Sequence, residues 1–405
     1  MHYEDSEQWA SAQDEADPLR EFRSRFHIPA DTVYLAGNSL GLQPRKARDY
    51  IQAELDDWAR LGVEGHFKAR DPWVSYHELL TAQTARLVGA EPLEVVVMNT
   101  LTVNLHLMMV SFYRPTPERN KILIEANAFP SDQYAVASQA AFHAGEVIEL
   151  PQHENPVDRI ERDGSSIALV ILGSVNYLTG EAFDMRAIAK AGHAKGCFVG
   201  FNLAHGAGNL VLQLHDDEVD FAVWCSYKYL NAGPGGLAGC FVHERHATDN
   251  SLPRFAGWWG HNKSTRFQMG SIFDPIPGAE GWQVSNPPIF QLAALRASME
   301  IFDEATMPAI RKKSEMLTGY LEFLLERLPP GFCEIITPRE PERRGAQLSL
   351  RIKKDAKSLV PRLAAERVIC DFREPAIVRV APVPLYNTFT DVWRFARVLE
   401  RYASR

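Results

Sequence analysis

The chain has 405 residues, 46% of them hydrophobic and 23% charged, with a formal net charge of −8. That length suits one large domain with a smaller companion, or two comparable ones, and the balance excludes disordered and fibrous classes. The acidic surplus excludes a nucleic-acid binder, which needs a basic face against phosphate, and no apolar run reaches the 18 residues of a membrane span.

The opening "MHYEDSEQWASAQDEADPLREF" is acidic and polar. It has neither the basic nor the apolar region of a secretory leader, so a cytoplasmic protein is expected. Valine-rich 93–99 reads as a strand and 101–112 as a helix. Strand 121–127 is followed by helix 132–144. Strands 146–151 and 166–173, helix 184–196, and strands 197–202, 220–226 and 237–243 follow. Continuous apolar strands imply burial on both faces, and their alternation with helices predicts an α/β, mostly parallel sheet with helices on both sides. Residues 244–285 are irregular and rich in aromatics. A long helix over 290–305 leads into a smaller C-terminal α+β domain with helix 311–328 and strands near 333–338, 346–353, 368–372 and 377–385. The expected division is 1–60 as an N-terminal arm, 61–295 as the large domain and 296–405 as the small one. Five cysteines, an odd number without CxxC spacing, read as reduced core residues.

In such a sheet ligands sit beyond the carboxyl ends of the strands. Thr100, Leu101 and Thr102 follow the first strand at a helix start, where N–H groups and hydroxyls suit an anion. Phe129, Pro130, Ser131 and Asp132 follow the second. Asn202 and His205 follow "CFVGFN", and Tyr227 and Lys228 stand in "CSYKYLNAGPGG". Each has a plainer reading by itself: a threonine N-cap, a helix-capping Ser or Asp, a core phenylalanine, a turn asparagine, a buried histidine. The glycines Gly233, Gly235 and Gly236 match no phosphate-binding fingerprint. Together, an anion cradle, an aromatic face, a short polar group and a lysine describe the needs of pyridoxal 5′-phosphate: donors for phosphate, a face for the ring, a partner for its nitrogen and an amine for its aldehyde.

In order along the chain, "YLAGNSLGLQP", "VEGHF", "NTLTVNLH", "AFPSDQYA", "LAHGAGN", "CSYKYLNAGPGG", "GWWGH", "SNPP" and "RVAPVPLYNTFTDVWRF" resemble the kynureninase family, pyridoxal-phosphate enzymes of fold type I. The resemblance implies a seven-stranded sheet and hydrolytic cleavage of L-kynurenine to anthranilate and L-alanine in tryptophan catabolism. It implies that Lys228 bonds to the cofactor and that Leu101, Thr102, Tyr227, Trp258 and Asn286 hold its phosphate end. Phe129 covers the ring, with Pro130, Ser131 and Asp132 beside it. Asn202 and His205 sit at the cofactor-binding strand end, and Gly173 lies at its neighbour. Arg379 clamps the substrate carboxylate, while His66, Ser285, Asn38 and Ser39 lie near the substrate's aromatic ring. Tyr227 doubles as a proton donor or shuttle. A homodimer with shared sites is implied, and no metal. The choice between L-kynurenine and 3-hydroxykynurenine stays open.

One position departs from the family. An aspartate is usual where this chain has Asn202, and an amide brings no charge to the pyridine nitrogen. The loss of about 1.5–3 kcal/mol of charged hydrogen bonding predicts a slower enzyme with weaker cofactor affinity, unless Asp132 compensates. A transaminase, a desulfurase-like enzyme and a cofactor-binding protein of reduced activity are the alternatives.

Overall fold

The computed structural model describes residues 2–403. Its centre is a seven-stranded sheet of β1 (Val95–Met98), β2 (Lys121–Glu125), β3 (Glu146–Leu150), β4 (Ile167–Gly173), β5 (Phe198–Asn202), β6 (Phe221–Cys225) and β7 (Ala238–Val242). The spatial order is β1-β7-β6-β5-β4-β2-β3. All pairings are parallel except the two made by β7, which runs antiparallel to both β1 and β6.

Alternation along each strand builds two cores. Val95 and Val97 face one, while Val96 and Met98 face the other. The helices Leu101–Phe112 and Pro130–Phe142 supply the second core. Met185–Ala194 and Ile289–Ala305 supply the first. Burial on both faces explains why these strands read as unbroken apolar runs rather than alternating ones.

A second sheet follows, with β8 (Cys333–Ile335), β9 (Leu348–Ile352), β10 (Asp371–Arg373) and β11 (Ile377–Val380) in the order β8-β9-β11-β10, all antiparallel. The helices Met307–Leu325 and Phe389–Ala403 pack on it. Val33 and Leu35, far upstream in sequence, join this same core, and Val33–Tyr34 pairs in parallel with Val368–Ile369. Residues 33–35 are therefore part of the small sheet's layer. Register places Arg379 of β11 directly opposite Asp371 of β10. Among the described residues no helix is long and apolar enough to cross a membrane.

Candidate active site

The carboxyl ends of β2, β4, β5 and β6 come together at one edge of the large sheet, and a pocket opens there. Strand β6 is wholly buried and ends at Cys225; the chain then turns, and Lys228 reaches into the pocket. Its Nζ lies 3.0 Å from Nε2 of His205. Burial holds the Lys228 amine below its ordinary value, Arg379 and Arg373 push the same way, and Cys225 and Asp132 oppose them. Burial, then Lys228, Arg379 and Arg373, drive the His205 imidazole well below its usual range, so it stays neutral. This setting lowers the cost of removing a proton from the amine relative to water, which is what a nucleophilic or proton-accepting lysine requires. The turn is braced from outside. Gly41 N donates to the Tyr227 carbonyl at 2.8 Å, and a Cβ on Gly41 would lie 2.3 Å from the Lys228 carbonyl oxygen.

Leu101 and Thr102 line the pocket at the start of the helix that follows β1. Thr100 occupies the N-cap position in extended backbone but makes no side-chain capping bond. The first-turn N–H groups are therefore left for an anion, where the helix dipole also favours negative charge.

Phe129, Ser131 and Asp132 line the opposite wall. The helix there begins with Pro130 at its first position, so Ser131 and Asp132 lie inside the first turn and cap nothing. Phe129 is 44% exposed, with its ring 5.8 Å from Lys228 Nζ. An aromatic left open beside the lysine offers a stacking face. Asp132 is buried, and its Oδ2 accepts from Asn202 Nδ2 at 2.7 Å. The Asn202 Oδ1 accepts from Ala204 N at 2.8 Å, which fixes the amide's orientation. Burial raises the Asp132 carboxyl to about 6, against the pull of Asn202 and Lys228. The other oxygen, Oδ1, is buried with no partner, and so is Nδ1 of His205. Two orphaned polar atoms in one pocket point to a polar guest. Pyridoxal phosphate fits these residues: first-turn N–H groups for its phosphate, Phe129 for its ring, Asp132 Oδ1 for its nitrogen and Lys228 for its aldehyde.

Gly173 and Tyr227 complete the predicted residues that the pocket gathers. Burial raises the Tyr227 phenol above its ordinary value, so it holds its proton. Glu125, Val175 and Tyr177 also line the pocket and were not anticipated. Glu125 ends an apolar strand at the sheet's carboxyl edge, and that placement was the available signal.

The remaining predicted residues lie off this pocket. Pro130 is exposed beside Phe129. Trp258 is 40% exposed and donates from Nε1 to the Arg266 carbonyl at 3.1 Å. Ser285 and Asn286 are exposed on an irregular segment. His66 packs edge-on against Trp73. Asn38 is buried and donates to Gln347 Oε1 at 2.8 Å, with Ser39 next to it. Arg379 is 1% exposed, with its Nε donating to Asp371 Oδ1 at 2.7 Å and its Nη2 to Oδ2. Its Nη1 donates to the Tyr177 carbonyl at 2.8 Å, which leaves it one residue from the pocket wall.

Comparison with known proteins adds the following. Residues 310–399 match the kynureninase C-terminal domain. The chain is 66% identical to a kynureninase of Myxococcus xanthus (strain DK1622), over 99% of this chain and 98% of the relative. It is 60% identical to a kynureninase of Koribacter versatilis (strain Ellin345), over 98% and 97%. In three dimensions it resembles an apo cysteine desulfurase from Thermococcus onnurineus NA1, with a TM-score of 0.81 at 14% identity, covering 95% of this chain and 98% of that one. At that identity the likeness speaks for the fold alone.

Proposed function

We infer the reaction from a premise that the relatives supply: the chain belongs to the kynureninase family. It cleaves L-kynurenine between Cβ and Cγ with water, giving anthranilate and L-alanine, and its cofactor is pyridoxal 5′-phosphate. When bound, the cofactor supplies a carbonyl for the substrate amine and a ring that accepts electron density from the substrate's Cα.

The roles below are our assignment, and the half-buried Lys228 amine beside neutral His205 is the observation that carries them. Lys228 Nζ would take the Cα proton, since burial makes its uncharged form less costly than in water. Tyr227, protonated and adjacent, returns a proton to the Cβ side as the carbon–carbon bond breaks. Leu101 and Thr102 hold the phosphate end, and Phe129 covers the ring. Asp132 holds negative charge at the ring nitrogen, with Asn202 orienting it. Arg379 receives the substrate carboxylate. Burial pushes the thiols of Cys225, Cys240 and Cys370 up, the opposite of what a desulfurase nucleophile needs. Five free cysteines suit a reducing compartment such as the cytoplasm.

Purified chain loaded with cofactor is expected to release fluorescent anthranilate and equimolar L-alanine from L-kynurenine. Amino transfer to a 2-oxo acid without anthranilate would overturn the assignment.

We also propose a homodimer. Phe67, Phe267, Met269 and Ile272 are 50–83% exposed, and Phe67 and Phe267 touch at 5.7 Å between ring centroids. Trp258 packs edge-on against Phe267 at 5.5 Å. Such a surface calls for cover. Trp258, His66, Ser285 and Asn286 lie off the pocket of their own chain, as residues would that serve a second copy's site. Analytical sedimentation is expected to give twice the chain mass, and Ile272→Asp with Phe267→Asp is expected to give monomers with weakened cofactor binding.

A further inference from the structure

Glu125 is 7% exposed at the end of β2, and no step above uses it. One of its oxygens accepts from Gly173 N, and the other accepts from Asn176 Nδ2 at 2.7 Å. Both contacts come from N–H donors, so the carboxylate serves here as an acceptor twice over. Asn176 in turn shapes the chain after it. Its Oδ1 accepts from Leu178 N at 3.0 Å and Thr179 N at 2.9 Å, and its carbonyl accepts from Gly180 N at 2.9 Å. Gly180 has φ +77, and a Cβ there would stand 3.0 Å from the Gln347 carbonyl, so this tight turn is pressed onto the residue that precedes β9.

The turn's carbonyls face the small sheet. Tyr177 O accepts from Gln347 Nε2 at 3.0 Å and Arg379 Nη1 at 2.8 Å. Leu178 O accepts from Ser349 Oγ at 2.6 Å, and Thr179 O accepts from Thr337 Oγ1 at 2.5 Å. The Arg379 guanidinium has five N–H donors. Asp371 takes one from Nε and one from Nη2, and Tyr177 takes one from Nη1. One donor on each terminal nitrogen remains for a guest carboxylate.

We propose that the Asn176–Glu181 turn is the positioning device for Arg379, with Asn176 its positioning residue and Glu125 its anchor on the large sheet. The inference rests on the reading of Arg379 as the substrate-carboxylate clamp. The physical need is plain. An α-amino acid carries its amine and its carboxylate on one carbon, yet Lys228 stands on the large sheet and Arg379 on the small one. The separation between these two groups must be held across the junction, because a guanidinium displaced from the substrate carboxylate loses charged hydrogen bonds that hold the substrate. This turn is hydrogen-bonded to both sides.

The test is steady-state kinetics of the cofactor-loaded full chain with L-kynurenine, run as a cycle with Arg379→Gln. Asn176→Ala is expected to raise KM by about tenfold, with kcat and cofactor affinity changed far less. Glu125→Gln, which keeps size but turns a donor toward one of its two N–H partners, is expected to raise KM by roughly threefold to tenfold. In the Arg379→Gln background neither change is expected to raise KM further. Should Asn176→Ala not fold, Glu125→Gln carries the same cycle. A fall in kcat at constant KM, or additive effects in the cycle, would overturn the inference while leaving the clamp in place. An unchanged KM in Arg379→Gln alone would overturn the clamp, and the positioning role with it.

Discussion

Replacing Lys228 by alanine is expected to lower kcat by about 10⁴-fold while leaving the fold intact. In the proposed assignment the amine both attaches the cofactor and moves the Cα proton, so no neighbour can substitute for it. Lys228→Arg is expected to be as inactive, although it keeps the positive charge. A guanidinium stays protonated at any working pH and offers no free electron pair. Stability should move the other way. Burial holds the folded amine below its ordinary value, so the unfolded chain binds more protons between the two values. Stability contributed at this site therefore rises with pH through that window and is reduced below it. Removing the amine abolishes that slope. Urea unfolding followed by fluorescence is expected to show Lys228→Ala equal to or above the parent chain near neutral pH, with a flatter pH dependence. A Lys228→Ala variant that makes anthranilate, or that unfolds earlier at every pH, would contradict the assignment.

The strands were legible because their chemistry is local. Val95–Met98, Ile167–Gly173 and Phe221–Cys225 are unbroken apolar runs, and two-sided burial is the simplest reason for such runs. The place where each run stops marks the sheet edge, and that made Leu101, Phe129, Asn202 and Lys228 visible as candidates. The antiparallel course of β7 was not legible, since nothing in "LAGCFVH" encodes the direction of its neighbours. The same holds for side chains whose partners lie far away in sequence. Asp371 facing Arg379, Gln347 reaching Tyr177 and Asn38, and Glu125 gripping Asn176 are products of tertiary register. Glu125 was overlooked because an acid closing a strand resembles an ordinary solvated end. Here burial raises its carboxyl to about 7, with its two N–H partners lowering it and Asp132 and Glu181 raising it. Trp258, His66, Ser285 and Asn286 carry the family's motifs but lie off this chain's pocket, and a linear sequence does not say where in space a motif comes to lie.

Asp132→Asn is expected to lower kcat by about ten- to a hundredfold and to weaken cofactor binding by a similar factor. The reason lies in what stands at position 202. An amide there can orient a neighbour but brings no charge, so the ring nitrogen's anionic partner must come from elsewhere. Asp132 is in contact with Asn202 and has one buried oxygen unpartnered. Its raised value of about 6 reflects burial without a full complement of partners. The charged form is therefore lost as pH falls through about 6, and equilibrium dialysis of the free chain against cofactor should show affinity declining in that range. Asn202→Asp in the parent chain would set two carboxylates at the 2.7 Å contact now made by the amide. They could not both ionise, and little gain is expected. In the Asp132→Asn background the same change should recover most of the lost affinity and rate, because it returns one carboxylate and one amide to the pair with their places exchanged. A large gain from Asn202→Asp alone would show instead that Asp132 does not reach the ring, and that the amide at the end of β5 is a true deficit.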